Sequence, residues 1–345
     1  MASRPATPLQ QLGDLGGRWR QRRLTATGTH TELPLIGAPR AALLAIALAL
    51  VAIAYVSGAG TYAQSVIALG CGYLIAALGY NLTLGYAGQF AFGQAGFLAI
   101  GAYVYAVLQE HGTSWLPALV AAALAAAFAG AVIGLAVLRT SGFYLALITL
   151  SFAQAVVVAI DLLRSLTHAD DGISVSFFDL DTVYPAIVLA ALALLLVDRL
   201  IHSRSGRAFL MIGSDESAAR AVGVPIGLAR VAVFSLGGLL GGIGGVVIAG
   251  ALGFVTPENF SVQLTLLLLT MIVVGGLGSL IGTVVGVAVF TALPELSASF
   301  VGWQDVAYGV ILLAVIFVLP GGLISLPATL RGLRERVAGR GSARG

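Results

Sequence analysis

The chain has 345 residues, of which 59% are hydrophobic and only 10% charged, with a formal net charge of +3 and a mean hydropathy of +0.99. Soluble domains carry roughly a quarter of their residues as charges, so this composition excludes a soluble globular protein and specifies an all-α polytopic membrane protein. Every basic residue is Arg; without Lys there is neither a Walker A loop nor a Schiff-base lysine, and any nucleotide hydrolysis falls to another chain.

Residues 1–39 are polar, with Arg18, Arg20, Arg22 and Arg23 clustered, and read as a cytoplasmic tail. They are not a secretory leader, because the apolar run that follows from about Ala41 is as long as a full span and reads as an uncleaved anchor. Apolar segments then recur at about 41–57, 62–82, 88–108, 115–138, 142–162, 182–200, 229–252, 260–275, 279–295 and 303–319. The expected architecture is therefore about ten transmembrane helices within a membrane domain of 40–320, followed by an Arg-rich cytoplasmic tail, 321–345.

The segments at 260–275 and 279–295 could instead form one long helix. Arg placement decides for two: an even number of spans puts both Arg-rich tails on the cytoplasmic side, along with every Arg except Arg164, as the positive-inside rule requires. VVGGLGSLIG (273–282) supplies the reversal, since its glycines weaken helix continuity. On the opposite face, Asp161, Asp170, Asp171, Asp179 and Asp181 gather around the longest external loop. That loop reads either as a landing surface for an external partner or as a solvated connection.

No span carries an ionisable residue near its middle; Asp161, Asp198, Glu295 and Asp305 sit at or beyond span ends. Charge in lipid is retained mainly for function, so this weighs against a proton- or sodium-coupled carrier. Uncharged polar residues instead concentrate at Asn81, Gln89 and Gln94, among Gly85, Gly88, Gly93, Gly96 and Gly101. These amides are candidates for a solute path, and equally for interhelical hydrogen bonds. Thr149 and Gln154 carry the same two readings. Tyr103, Tyr105, Trp115 and Trp303 lie near span ends as interfacial anchors. A lone Cys71 makes no intrachain disulfide, and His30, His111, His168 and His202 have no ligand spacing, so no metal site is expected. The basic balance reports orientation rather than nucleic-acid binding.

The longest internal loop, 201–229, contains SGRAFLMIGSDESAARAVGV (205–224). Ser214 is a good N-cap, Asp215 and Glu216 suit the positive end of a helix dipole, Arg220 suits its last turn, and Gly223 with Pro225 ends it. The punctuation predicts a short helix over 215–222. Two turns are unstable alone in water, so this helix must pack against something. Ala218, Ala219, Ala221 and Val222 would be its exposed knob for a soluble cytoplasmic subunit, with passive rest on the bilayer surface as the alternative.

From about Ile67 to Leu323 the chain resembles the permease subunits of ATP-binding-cassette importers for branched-chain amino acids. The resemblance rests on GYAGQFAFGQAGFLAIGAY (85–103), TSGFYLALITLSFAQ (140–154), the loop motif at 205–224, VVGGLGSLIG (273–282) and LPGGL (319–323), in the family's order. Ala91 and Gln94 depart from the Ser and His common in relatives. The resemblance implies a bacterial inner-membrane permease, paired with a second permease as a heterodimer. It further implies two cytoplasmic ATPase subunits holding ATP and Mg, and an external solute-binding protein. In such importers the helix matching Ser214 to Gly223, including Asp215, Glu216, Ala218, Ala219 and Arg220, couples ATPase closure to the spans. The expected function is inward translocation of leucine, isoleucine or valine by alternating access, with no bond made or broken in this chain. The same machine could carry urea, short amides or a simple sugar; a stand-alone secondary carrier is the different class. A membrane enzyme lacks any paired carboxylate, nucleophile–base pair or metal constellation.

Overall fold

The computed structural model describes residues 60–140, 142–168, 171–175 and 183–297. The expected spans at 41–57 and 303–319, both tails, Trp303 and Asp305 lie outside the described residues. The chain forms α1 (Thr61–Asn81), a π-helical turn (Leu82–Tyr86), α2 (Gln94–Glu110), α3 (Trp115–Ala136), α4 (Phe143–Leu162), α5 (Arg164–Thr167) and β1 (Ile173–Ser174). It continues with α6 (Val183–His202), α7 (Arg204–Ser214), α8 (Glu216–Ala221), α9 (Ile226–Leu252), β2 (Phe254–Val255), α10 (Val262–Gly275) and α11 (Leu280–Ser297). Among the described residues, 6 helices are long and apolar enough to cross a membrane, and Leu280–Pro294 is a shorter apolar helix. The break at Gly276 (φ 126°) and Gly278 (φ 71°) separates α10 from α11, so 260–275 and 279–295 form two helices and not one.

The segment expected as a continuous span from 88 begins six residues later. After α1 the backbone widens into a π turn, leaves helical geometry through Gly88 (φ 64°) and restarts only at Gln94. Glycine permits that left-handed step, and non-helical backbone inside a bundle is tolerated where protein satisfies it. Here Gln89 N donates to Thr83 O (2.9 Å), Phe92 N to the Thr149 hydroxyl (2.8 Å) and Ala95 N to the Thr265 hydroxyl (3.0 Å).

The core is α9, a helix of 27 residues, about 40 Å long and longer than the roughly 30 Å hydrocarbon layer. It is surrounded by α1, α2 and α3. Gly237, Gly238, Gly241, Gly242, Gly244 and Gly245 are all buried or nearly so along it, and they bring backbones into direct contact. A Cβ placed on Gly101 of α2 would fall on the Gly242 backbone, and one on Gly245 would fall on the Leu98 carbonyl. Lipid provides little hydrophobic drive between helices, so close backbone approach through small residues supplies the dispersion contact instead. Large apolar side chains point outward: Leu124 and Phe128 of α3, Phe143 and Leu162 of α4, Val188 and Leu192 of α6.

The connections sort to two ends of the bundle. At one, Asn81 meets Ser279 and Thr283, the loop glycine Gly88 abuts Gly213 of α7, and Arg230 reaches Leu138. At the other, β1 and β2 pair antiparallel with Ile173 opposite Val255, and His168 Nε2 lies 2.9 Å from Glu110 Oε1. Successive spans run alternately between these ends.

A Gly101→Val substitution is expected to destabilise the bundle by about 1–3 kcal/mol or more, the range for forced overpacking. Gly227→Ala, whose new methyl would meet only Leu138 Cδ2 at 3.6 Å, is expected to leave stability unchanged or improved. Thermal unfolding of the two purified variants in one detergent checks the contrast.

Candidate functional site

The polar residues of 81–94 are deeply buried, and each is spoken for within the chain. Asn81, 1% exposed, donates from Nδ2 to Ser279 O (3.2 Å) and Thr283 Oγ1 (2.8 Å), and its Oδ1 accepts from Gly278 N (2.9 Å). It fastens the end of α1 to the glycine turn before α11. Gly85, one turn on, lies against this node: a Cβ there would strike Asn81 Oδ1. Gln94 at the start of α2 donates from Nε2 to Ala76 O (3.1 Å) and Gly237 O (3.5 Å), bridging α1 and α9. Gln89 Nε2 donates to Ala87 O (3.0 Å) and braces its own loop. The Thr149 hydroxyl turns back to Leu145 O and Ala146 O while accepting from Phe92 N. In lipid a polar group without a partner is costly; these hydrogen bonds remove that cost, and those of Gln89 and Thr149 fix the 87–93 segment.

Gln154 stands apart. It lies with Tyr144, Leu147, Ser151, Val158 and Leu162 on the exposed face of α4, and it is not brought together with Asn81, Gln89 or Gln94. A glutamine and a serine thus lie in the middle of an exposed, otherwise largely apolar face of α4.

The cytoplasmic-type loop holds two helices, where the sequence predicted one. The helix-forming stretch upstream, α7 (Arg204–Ser214), is capped by Ser203, whose Oγ accepts from Gly206 N (3.3 Å); Phe209 and Ile212 bury its inner face. Ser214 is consequently not the N-cap of the second helix. It is the last residue of α7, with its hydroxyl donated to Leu210 O (2.8 Å). The cap is Asp215, extended at φ −155°, whose Oδ1 accepts from Ser217 N (2.8 Å) and Ala218 N (3.1 Å). A carboxylate binds two amides at the positive helix end more strongly than a hydroxyl, which moves the boundary by one residue. Gly223 (φ 81°) ends α8 as expected from its lack of a side chain. Ala218, Ala221 and Val222 are exposed, but Ala219 is not; it is buried against the bundle. Ser217, Arg220 and Ala221, with Glu216, line an open hollow of about 480 Å³ on the outer side of α8.

Sequence reasoning missed Arg230, which it placed among the loop charges that report orientation. The side chain is 5% exposed in the second turn of α9. Its Nη2 donates to Glu216 Oε2 (2.7 Å) and its Nη1 to Leu138 O (3.1 Å) and Thr140 O (3.5 Å). Glu216 also holds Arg220 through Oε1 (3.2 Å). The available signal was the spacing of Glu216 from Arg230 across a Gly-Val-Pro turn, which folds the two onto one another. Among the described residues no group of three or more His, Cys, Asp or Glu is placed to hold a metal ion.

The chain as a whole is similar to known proteins. A family model described as the branched-chain amino acid transport system / permease component matches residues 62–319. The high-affinity branched-chain amino acid transport system permease protein LivM of Escherichia coli strain K12 is 29% identical over 307 residues, covering 79% of this chain and 71% of LivM. LivH, the permease protein of the same kind of system in Salmonella typhimurium, is 27% identical over 300 residues, 76% of this chain and 94% of LivH. The autoinducer 2 import system permease protein LsrC of Enterobacter sp. is 33% identical, but over 39% of this chain only. No solved structure matches the chain. The family match runs from the first turn of α1 to beyond the end of α11, and on that ground the chain belongs to the family of permease components of branched-chain amino acid transport systems.

Proposed function

We propose that this chain is a membrane permease subunit of an ATP-binding-cassette importer. In this reading it moves branched-chain amino acids, leucine, isoleucine or valine, inward by alternating access. It sits in a bacterial inner membrane with both termini cytoplasmic. ATP and Mg are held by two partner ATPases, a second permease completes the path, and an external solute-binding protein delivers cargo. The observation that carries the reading is α8, a two-turn helix capped by Asp215 and Gly223, presented at one end of a bundle that has no Lys and in which the one buried Arg among the described residues, Arg230, is tied to that helix. A bundle of this composition has no motor of its own, and α8 with its hollow is where one would press.

For the path, we assign the exposed α4 face with Ser151 and Gln154 to the solute side, shared with the second permease. Gln89 and Thr149 contribute by holding the 87–93 segment through Ala87 and Phe92, and Asn81 and Gln94 by tying α1 to the start of α11 and to α9, since their polar groups are already engaged. An almost wholly apolar wall with isolated amides fits aliphatic amino acids, whose side chains need burial and whose charged ends need brief hydrogen bonding. The partial likeness to LsrC, a permease protein of an autoinducer 2 import system, favours a second reading in which the same machinery carries a different solute: urea, a short amide or a simple sugar.

The complete complex in proteoliposomes is expected to accumulate labelled leucine only with internal ATP and an external receptor. Uptake by this chain without ATPases would overturn the reading, and uptake of a sugar with no uptake of amino acids would establish the second one. Gln154→Leu is expected to lower the maximal uptake rate several-fold with no fall in melting temperature, because the side chain faces outward from the bundle; a wild-type rate in that assay would remove Gln154 from the path.

A further inference from the structure

We infer that Arg230 is the residue through which α8 moves the bundle, a buried strut joining Glu216 to the central helix and to the α3–α4 connection. The inference rests on the ATP-driven reading above and names its transmitting contact.

The placement of this guanidinium is unfavourable on every count but one. Arg230 lies near the N-terminal end of α9, where the helix dipole is positive and a cation is disfavoured. It is 5% exposed, so it has surrendered most of its hydration. One of its donors, Nε, is buried without an acceptor. What offsets these costs is one carboxylate and two backbone carbonyls: Glu216, Leu138 and Thr140. Among the described residues Glu216 is its only ion-pair partner. Removing that partner leaves a buried, uncompensated cation, which is far more costly than the pair is favourable. The contact is therefore close to all-or-none: either Glu216 stays seated or Arg230 must leave its pocket.

Three mechanical elements converge on the one side chain. Glu216 is the first residue of α8 and answers to whatever presses on Ser217, Arg220 and Ala221. Arg230 is anchored in α9, whose glycines meet α1, α2 and α3 backbone to backbone, so displacement passes on without being absorbed by flexible side chains. Leu138 and Thr140 belong to the short connection, through the 3₁₀ turn Val137–Arg139, that leads into α4. Tugging α8 thus pulls at once on the central rod and on the entry to the helix carrying Gln154. Glu216 is engaged inward, by Arg230, and its surface neighbour Arg220 is left largely in solvent, which divides α8 into an outer face for contact and an inner tooth for transmission.

The test is solute moved per ATP hydrolysed, measured on the complete complex in proteoliposomes for Arg230→Gln, Arg230→Lys, Glu216→Ala and the Glu216→Ala/Arg230→Gln double variant, each scored for co-purification of the ATPases. Arg230→Gln and Glu216→Ala are each expected to lower the ratio at least tenfold in complexes that assemble. The double variant should fall no further than the worse single one, since both break the same strut. Arg230→Lys should be intermediate, because a point charge reaches Glu216 but cannot span carboxylate and carbonyls together. Glu216 is only part-buried and on a surface helix, so Glu216→Ala remains informative if Arg230→Gln does not fold. An assembled complex of either single variant within twofold of wild type, or losses that multiply in the double variant, would overturn the strut. A wild-type complex that transports without consuming ATP would overturn the ATP-driven reading itself, and the strut with it.

Discussion

The contact on which this molecule depends is backbone against backbone, along the glycines of α9. In water, burying leucine and phenylalanine between helices drives their association; in a bilayer those same side chains are equally at home against lipid. The chain accordingly turns its larger apolar residues outward on α3, α4 and α6 and spends glycine and alanine at the centre. Gly101 on Gly242, Leu98 on Gly245 and Ala126 on Gly238 are contacts of backbone on backbone. A rod gripped this way shifts as a unit or not at all, and that makes a small event at one end of the bundle legible at a distance.

The second constraint is that polar groups within the bundle must be answered locally. The break between α1 and α2 exposes amides that a continuous helix would have paired, and the Thr149 and Thr265 hydroxyls accept from two of them, Phe92 N and Ala95 N. The same logic governs Asn81, whose amide closes two bonds to the turn before α11 and a third to Thr283 in the first turn of α11. The amides that group together in the sequence, Asn81, Gln89 and Gln94, are thus each hydrogen-bonded within the bundle, and of the predicted path amides the one left facing outward is Gln154, on a helix face that the other described residues do not cover.

The charges of the segment from Arg204 to Arg230 are likewise not equivalent. Arg220 is a surface residue held by an i,i+4 pair with Glu216, an interaction worth little by itself. Arg230 uses the other oxygen of the same carboxylate but is buried, so the pair there is governed by desolvation. One glutamate therefore links a solvated helix to the interior, and α7 beneath it fixes the approach by seating Gly213 directly on the 86–88 backbone.

The sequence by itself determined the class, the order of the spans between 62 and 295, the split at the glycines of 276–278 and the existence of a capped helix before Gly223. Each of these follows from local chemistry: apolar runs as long as a bilayer, glycine where φ is positive, Asp and Glu at a helix start. Only the tertiary structure decided that α2 begins at Gln94 and not at 88, because the amides freed by that break are satisfied by hydroxyls far away in the chain. It also decided that the cap is Asp215, that Ala219 turns inward, and that Arg230 is a buried partner of Glu216 and not one more charge at the membrane edge. Periodicity and composition register what a residue prefers, whereas burial and pairing depend on which neighbours the fold delivers to it, from 14 residues away for Glu216 and Arg230 to 202 for Asn81 and Thr283.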